Sequence, residues 1–319
     1  DAVEYLPVPD DADRADQLVF GDVDALHTSD PAAIIDLQAA DDITLMRSDV
    51  GDEAFVMINT QKAPFDDIRA RQALAFATPR ALYRELIGLG ILRGADQMFT
   101  PESPYYNPAV TQDGDAPEQA QPLVDAYCAE RGAETNLVTN QPTCTDGRIN
   151  MEFQWSGPDK VQDRIADLFT EAWSPYFNIV PQGSMPQDDL ITETATSAYN
   201  VTTWRQFGAL NPMTDNVWLL CRTMSAISLN FPGVCDEARD ALLLDAQATT
   251  DPAQRAADYQ QVVQLIHDSY AYIFLTHTTW AHAFGPEVHG VCDRTSPEGV
   301  ALACSITGTS WPGTIWVDQ

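Results

Sequence analysis

"INMEFQWSGPDKVQDRIADLFTEAWSPYFNIVPQG", residues 149–183, decides the fold. Its first seven residues alternate apolar and polar types, as a half-buried strand does. Val161, Ile165, Leu168, Phe169 and Trp173 then recur at helical spacing and line one side of an amphipathic helix. Pro175 ends that helix, and "NIVPQG" reads as a second strand. Strand, helix and strand in succession are the unit of an α/β architecture.

The same alternation extends in both directions. Asp10 to about Phe20 reads as a short helix stopped by Gly21, and "VDAL" as a strand. "DPAAIIDLQAA" is a helix with Asp30 as N-cap and Pro31 at its first position. "DITLMRSD" and "EAFVMINT" have the branched and large apolar residues of strands. In "FDDIRARQALAFATPRALYRELIG", Ile68, Ala73, Leu74, Phe76 and Ala77 share a face, Asp66 or Asp67 can cap it, and Pro79 interrupts it. Residues 98–122 form a Pro-rich loop region, followed by a helix around 119–131. Beyond residue 230, helices capped by Asp236 and opened by Pro252 precede a buried strand, "AYIFLTH". The last 35 residues or so are Gly- and Cys-rich. No internal repeat or low-complexity tract is present.

Charge excludes one class of partner. The 319 residues carry 17 basic and 47 acidic side chains, a net charge of −30, and the only lysines are Lys62 and Lys160. Such a surface repels nucleic acid and anionic lipid, because phosphate binding needs clustered cations. Six cysteines fall into three neighbouring couples, Cys128 with Cys144, Cys221 with Cys235, and Cys292 with Cys304. Each couple flanks a loop rich in turn residues, which favours sequential pairing because short loops cost less to close, although the count alone leaves connectivity open. Disulfides imply an oxidising compartment and hence export. "DAVEYLPVPD" has neither the basic start nor the apolar core of a secretory signal, and no run of roughly 18 apolar residues could span a membrane.

Signatures of catalysis are missing. There is no GxSxG elbow, Walker loop or GxGxxG turn. His277 and His282 lie five apart, which matches no metal-ligand spacing, so neither metal nor cofactor is expected. The acid pairs Asp66–Asp67 and Asp188–Asp189 sit near helix starts, where capping explains them better than acid–base work. No enzyme is read from these residues. A secreted hydrolase of unknown class and a surface adhesion module are the alternatives.

An ordered set of motifs carries a family resemblance: "GDVDAL" (21–26), "APFDDIRARQALAFATPR" (63–80), "LGILRGADQMFTPESPYYNP" (89–108) and "LNFPGVCDEARDALLLDAQATTDPAQRAADYQQVVQLIHDSYAYIFLTH" (229–277). Together they resemble the extracellular solute-binding proteins of family 5, the dipeptide, oligopeptide and nickel class. Pro79-Arg80 departs from the Asp-Arg usual there. The resemblance implies a type II periplasmic-binding-protein fold of two lobes, the first incomplete in this chain. Residues 1–60 would be the second segment of lobe I, 61–277 lobe II and 278–319 the return to lobe I, with hinges near 58–64 and 276–284. The lipoprotein signal, the first segment of lobe I and a small extra domain would lie upstream, and without them weak or no ligand binding is expected. The implied function is capture of a peptide or other small organic solute in an interlobe cleft outside the membrane, and its delivery by a monomer to ABC permease subunits.

The resemblance also places a site in "SAYNVTTWRQFGALNP" (197–212). Trp204 would wall the cleft, with Tyr199 and Phe207 behind it, and Arg205 could meet a carboxylate bidentately. Neighbours on a strand face opposite ways, so Trp204 and Arg205 line one surface only if the loop has begun. Peptide-binding members resemble one another in an aspartate three residues after this tryptophan; here Phe207 occupies that position, and Asp215 is the nearest downstream acid. Asn211-Pro212 stands where many relatives show Asp-Pro. A bridge like Cys221–Cys235 is known in dipeptide-type members, which would set Asn230 near the cleft rim.

Overall fold

Asp10, Asp30, Asp67, Asp159, Asp236 and Asp251 each end an extended segment and accept hydrogen bonds from the first turn of the helix that follows. Each cap satisfies backbone N–H groups that the helix itself leaves open, and places negative charge at the positive end of the helix dipole. The helices so started are Asp11–Val19, Pro31–Ala39, Ile68–Ala77, Lys160–Trp173, Glu237–Ala248 and Pro252–Ser269. Part of the acidity is therefore structural. The structure, a computed structural model, describes residues 2–207, 211–225, 227–295 and 312–318.

The chain divides into two compact units. One comprises Asp1–Asp52, Gly88–Arg93 and His277–Gln319, and the other Glu53–Ile87 and Gly94–Thr276. The division comes after Asp52 rather than at residue 60. Residues Glu53 to Ile58 pair one for one with Gln206 back to Val201, which ties that strand to the larger unit.

In the larger unit, strands Tyr272–His277, Glu53–Ile58, Val201–Gln206 and Arg148–Ser156 lie side by side in a seven-stranded sheet. Strand Phe177–Met185 runs parallel to Arg148–Ser156, which runs parallel to Val201–Gln206. The period of two sorts the core. Val56, Ile58, Ile149, Met151, Phe153, Val201, Ile273 and Leu275 share one apolar cluster with Leu74, Val124, Phe169 and Trp173, so helices Ile68–Ala77, Ala120–Arg131 and Lys160–Trp173 cover that face. Phe55, Met57, Tyr272 and Phe274 point the other way, into a cluster with Leu243, Tyr259 and Val263 from helices Glu237–Ala248 and Pro252–Ser269. Ile68 departs from its expected place: it is 42% exposed, and Ala70 and Ala75 are buried instead. Pro79 separates Ile68–Ala77 from a second helix, Arg80–Leu86.

The smaller unit has a three-stranded sheet in the order Ala25–Thr28, Trp280–Phe284, Thr44–Ser48, all antiparallel. Leu26, Ala283 and Leu45 pack against Ala15, Leu18, Ala33 and Leu37 of its two helices. The disulfides Cys128–Cys144 and Cys221–Cys235 are both formed, closing loops of 16 and 14 residues. Cys304, the expected partner of Cys292, lies outside the described residues, as do positions 208–210 of the expected binding loop.

Candidate ligand-binding site

Strands Arg148–Ser156, Phe177–Met185 and Val201–Gln206 are parallel, so their carboxyl ends share one edge of the sheet. In open α/β sheets that edge is where ligands settle. Trp204, Arg205 and Gln206 form the last turn of pleat there.

Because the strand continues through Gln206, Trp204 and Arg205 leave on opposite faces. Trp204 is half-buried and opposite Phe55, on the side of the Tyr259–Leu243 cluster. Its ring meets Phe231 at 5.3 Å between centroids and 73°, and Trp218 reaches the same Phe231 at 5.7 Å. Arg205 is exposed on the other face, where Thr203 bonds Gln162 of helix Lys160–Trp173. The two residues are thus not brought together.

Tyr199 and Phe207 lie in the apolar cluster on which Trp204 packs. Tyr199 is fully buried, and burial pushes its phenol well above the usual range. Phe207 is 5% exposed and stacks on Phe55 at 5.6 Å. Its φ of +74° is left-handed, a conformation that costs a residue of this size about 1–3 kcal/mol and that its ring contacts hold in place. The aromatic at this position therefore turns inward. Both side chains are buried in that cluster.

The two asparagines are occupied by the backbone. Asn211 is exposed and accepts from the Met213 N–H, capping the short turn Pro212–Asp215. Asn230 is buried, and its amide donates to the carbonyls of Leu219 and Val234, as does the buried Arg239 guanidinium. These bonds hold the loop bracketed by Cys221 and Cys235. Gly233 in that loop has a φ of +71°, and a Cβ there would stand 2.0 Å from the Gln61 amide. Only glycine fits. Asp215 is 6% exposed, and its charge helps raise the Tyr259 phenol.

Of the acid pairs, Asp67 caps its helix and Asp66 grips Arg131 through two 2.9 Å bonds, while Asp188 and Asp189 lie in the first turn of helix Gln187–Ala195. Sequence reasoning did not single out Trp218, Phe231 or Glu152. Phe231 directly follows Asn230, yet nothing local announces its contact with Trp204. Glu152 is pushed up to about 7, first by burial and then by Glu193. A cavity of about 290 Å³, lined by Arg148, Thr170, Ser174, Phe177, Asn178 and Ile179, involves the first residues of two parallel strands. It lies at their amino ends, away from Trp204. Among the described residues, no three His, Cys, Asp or Glu side chains are placed to hold a metal ion, and no helix is long and apolar enough to cross a membrane.

Comparison with known proteins bears on this arrangement. The profile of "Bacterial extracellular solute-binding proteins, family 5 Middle" matches residues 1–180. The chain is 24% identical over 293 residues to the "Probable di/tripeptide-binding protein 5" of Pseudomonas aeruginosa (strain UCBPP-PA14), covering 91% of this chain and 52% of that protein. It is 23% identical over 295 residues to the dipeptide-binding protein of Escherichia coli (strain K12), with the same two coverages, 91% and 52%. Among solved structures, the dipeptide binding protein of Pseudoalteromonas sp. SM9913, in complex with Met-Leu, matches with a TM-score of 0.77 at 19% identity, over 98% of this chain and 57% of that one. The chain spans about half the length of the curated relatives it matches. Its fold is that of the type II periplasmic binding proteins. The chain belongs to the bacterial extracellular solute-binding proteins of family 5.

Proposed function

We propose that this chain belongs to an exported solute-binding component of an ABC import system, which holds a peptide or other small organic solute against Trp204 and presents it to the permease. The observation that carries the reading is the half-buried Trp204, backed by Phe231 at the carboxyl edge of three parallel strands. A flat apolar ring on a rigid base is what a small-molecule site needs, with a few polar groups to orient the guest. Arg205, on the opposite face, is not the orienting group for a ligand on Trp204. The two disulfides fit an oxidising compartment, the periplasm or the outer face of the cytoplasmic membrane. The protein acts as a monomer in this reading, tied to the membrane only by a lipid upstream of this sequence. It makes and breaks no bond.

A thermal-shift screen of the full-length protein against di- and tripeptides, amino-acid derivatives, sugars and nickel tests the reading. A ligand at roughly 100 times its Kd adds about 2.7 kcal/mol. Trp204→Ala should abolish that shift. A blank screen overturns the transport reading, and an unchanged shift in Trp204→Ala removes this residue from the site.

A further inference from the structure

The three-stranded sheet of the smaller unit puts three metal-ligating side chains in one cross-strand row. His27 pairs directly with His282, and His282 pairs on its other side with Met46. The opposite face of this sheet is the apolar one, where Leu26, Ala283 and Leu45 meet the helices. By the period of two, His27, His282 and Met46 share the other face, and direct cross-strand neighbours have Cβ atoms about 4.5–5.5 Å apart. The imidazole centroids of His27 and His282 are 6.0 Å apart at 60°. The Trp280 ring lies 5.7 Å from His27, and its Nε1 donates to Asp52 Oδ1 at 2.6 Å, which fixes it in place.

We propose that His27, His282 and Met46 form a site for a soft monovalent metal ion, Cu(I) in the first instance. Two imidazoles on one ion, with bonds of about 2.0 Å, bring their centroids to about 5–6 Å, so the observed spacing needs little more than ring rotation. A thioether as third donor selects a soft ion, whereas Mg, Ca and Mn take carboxylate or carbonyl oxygen. Met46 is 37% exposed and His282 is 5% exposed, so an ion would enter from the Met46–His27 side. The Trp280 ring, 5.7 Å from His27, adds an apolar wall beside the site. No cysteine among the described residues is free to compete.

Titration of the chain with Ag(I), a redox-inert stand-in, and with Cu(I) under anaerobic conditions tests the site. One equivalent should saturate it, moving the ring resonances of His27 and His282 and the Met46 methyl. His27→Ala and Met46→Leu, both at exposed positions, should each weaken binding by about tenfold or more. Excess Zn(II) should fail to displace Ag(I). Equal binding by the wild type and the double variant overturns the proposal, as does displacement by Zn(II) or titration that leaves those three signals unmoved.

Discussion

Trp204 meets Phe231 edge to face, centroids 5.3 Å apart, so the indole is braced against the core while part of its surface stays open to solvent. Trp173 offers the contrast: it is fully buried and stacks on Phe169 at 4.9 Å. Truncating a sealed tryptophan to alanine costs about 3–5 kcal/mol, because a cavity remains. Trp173→Ala is therefore expected to lose that much in urea unfolding, and Trp204→Ala only about 1–2 kcal/mol, since part of its surface is already hydrated. Equal losses would mean that Trp204 is sealed, and a sealed ring cannot hold a ligand.

The Tyr199 hydroxyl is buried without a hydrogen-bond partner. Removing a buried polar group that makes no bond is neutral or stabilising, by up to about 1 kcal/mol. Tyr199→Phe should raise the urea midpoint slightly and leave any ligand-induced thermal shift intact. A weakened shift would mean that the hydroxyl reaches the ligand after all.

What could be read from sequence, and what could not, follows from how far apart the interacting groups are. The caps at Asp30, Asp67 and Asp236 and the break at Pro79 act within a few residues, and the helices begin and end there. The opposed directions of Trp204 and Arg205 followed from the period of a strand, once its end was known. Contacts between distant strands left no such mark. Spacing along the chain compared His282 with His277, whereas pairing sets it beside His27. The strand Glu53–Ile58 looked like the end of the first segment, and only its pairing with Val201–Gln206 assigns it to the larger unit. Ile68 fitted the apolar stripe by periodicity but lies in the first turn, beyond the neighbours that bury Ala73 and Leu74.

Cys128 and Cys144 join helix Ala120–Arg131 to the short strand Cys144–Thr145 across 16 residues. Closing a loop of this size in the unfolded chain is worth about 3 kcal/mol on the chain-entropy account. The Cys128→Ser/Cys144→Ser double variant should lose stability of that order, measured by urea unfolding of each protein without reductant. If the loss is under about 1 kcal/mol, the bridge adds little to what the helix packing already holds.

Glu152 gives a pH dependence with a defined sign. One of its carboxylate oxygens is buried without a partner, and burial first and Glu193 second raise its pKa from 4.5 to about 7. Below the lower value the folded and unfolded states both hold the proton, so the group contributes nothing. Between the two values the unfolded chain releases it first; the folded state then binds more protons, and stability falls as pH rises. Above the upper value both states are ionised and the loss is constant. Discounted for the part of the side chain that water still screens, the loss is about 1–2 kcal/mol. Glu152→Gln should therefore leave stability nearly unchanged at pH 4 and raise it by that amount at pH 8. Glu193→Gln should recover a smaller part, because it removes only the second cause. Other carboxylates of this acidic chain titrate in both proteins, so the difference between variant and wild type across the pH series is the quantity to follow. A gain of equal size at pH 4 and pH 8 would show that the substitution acts through packing and not through the buried charge.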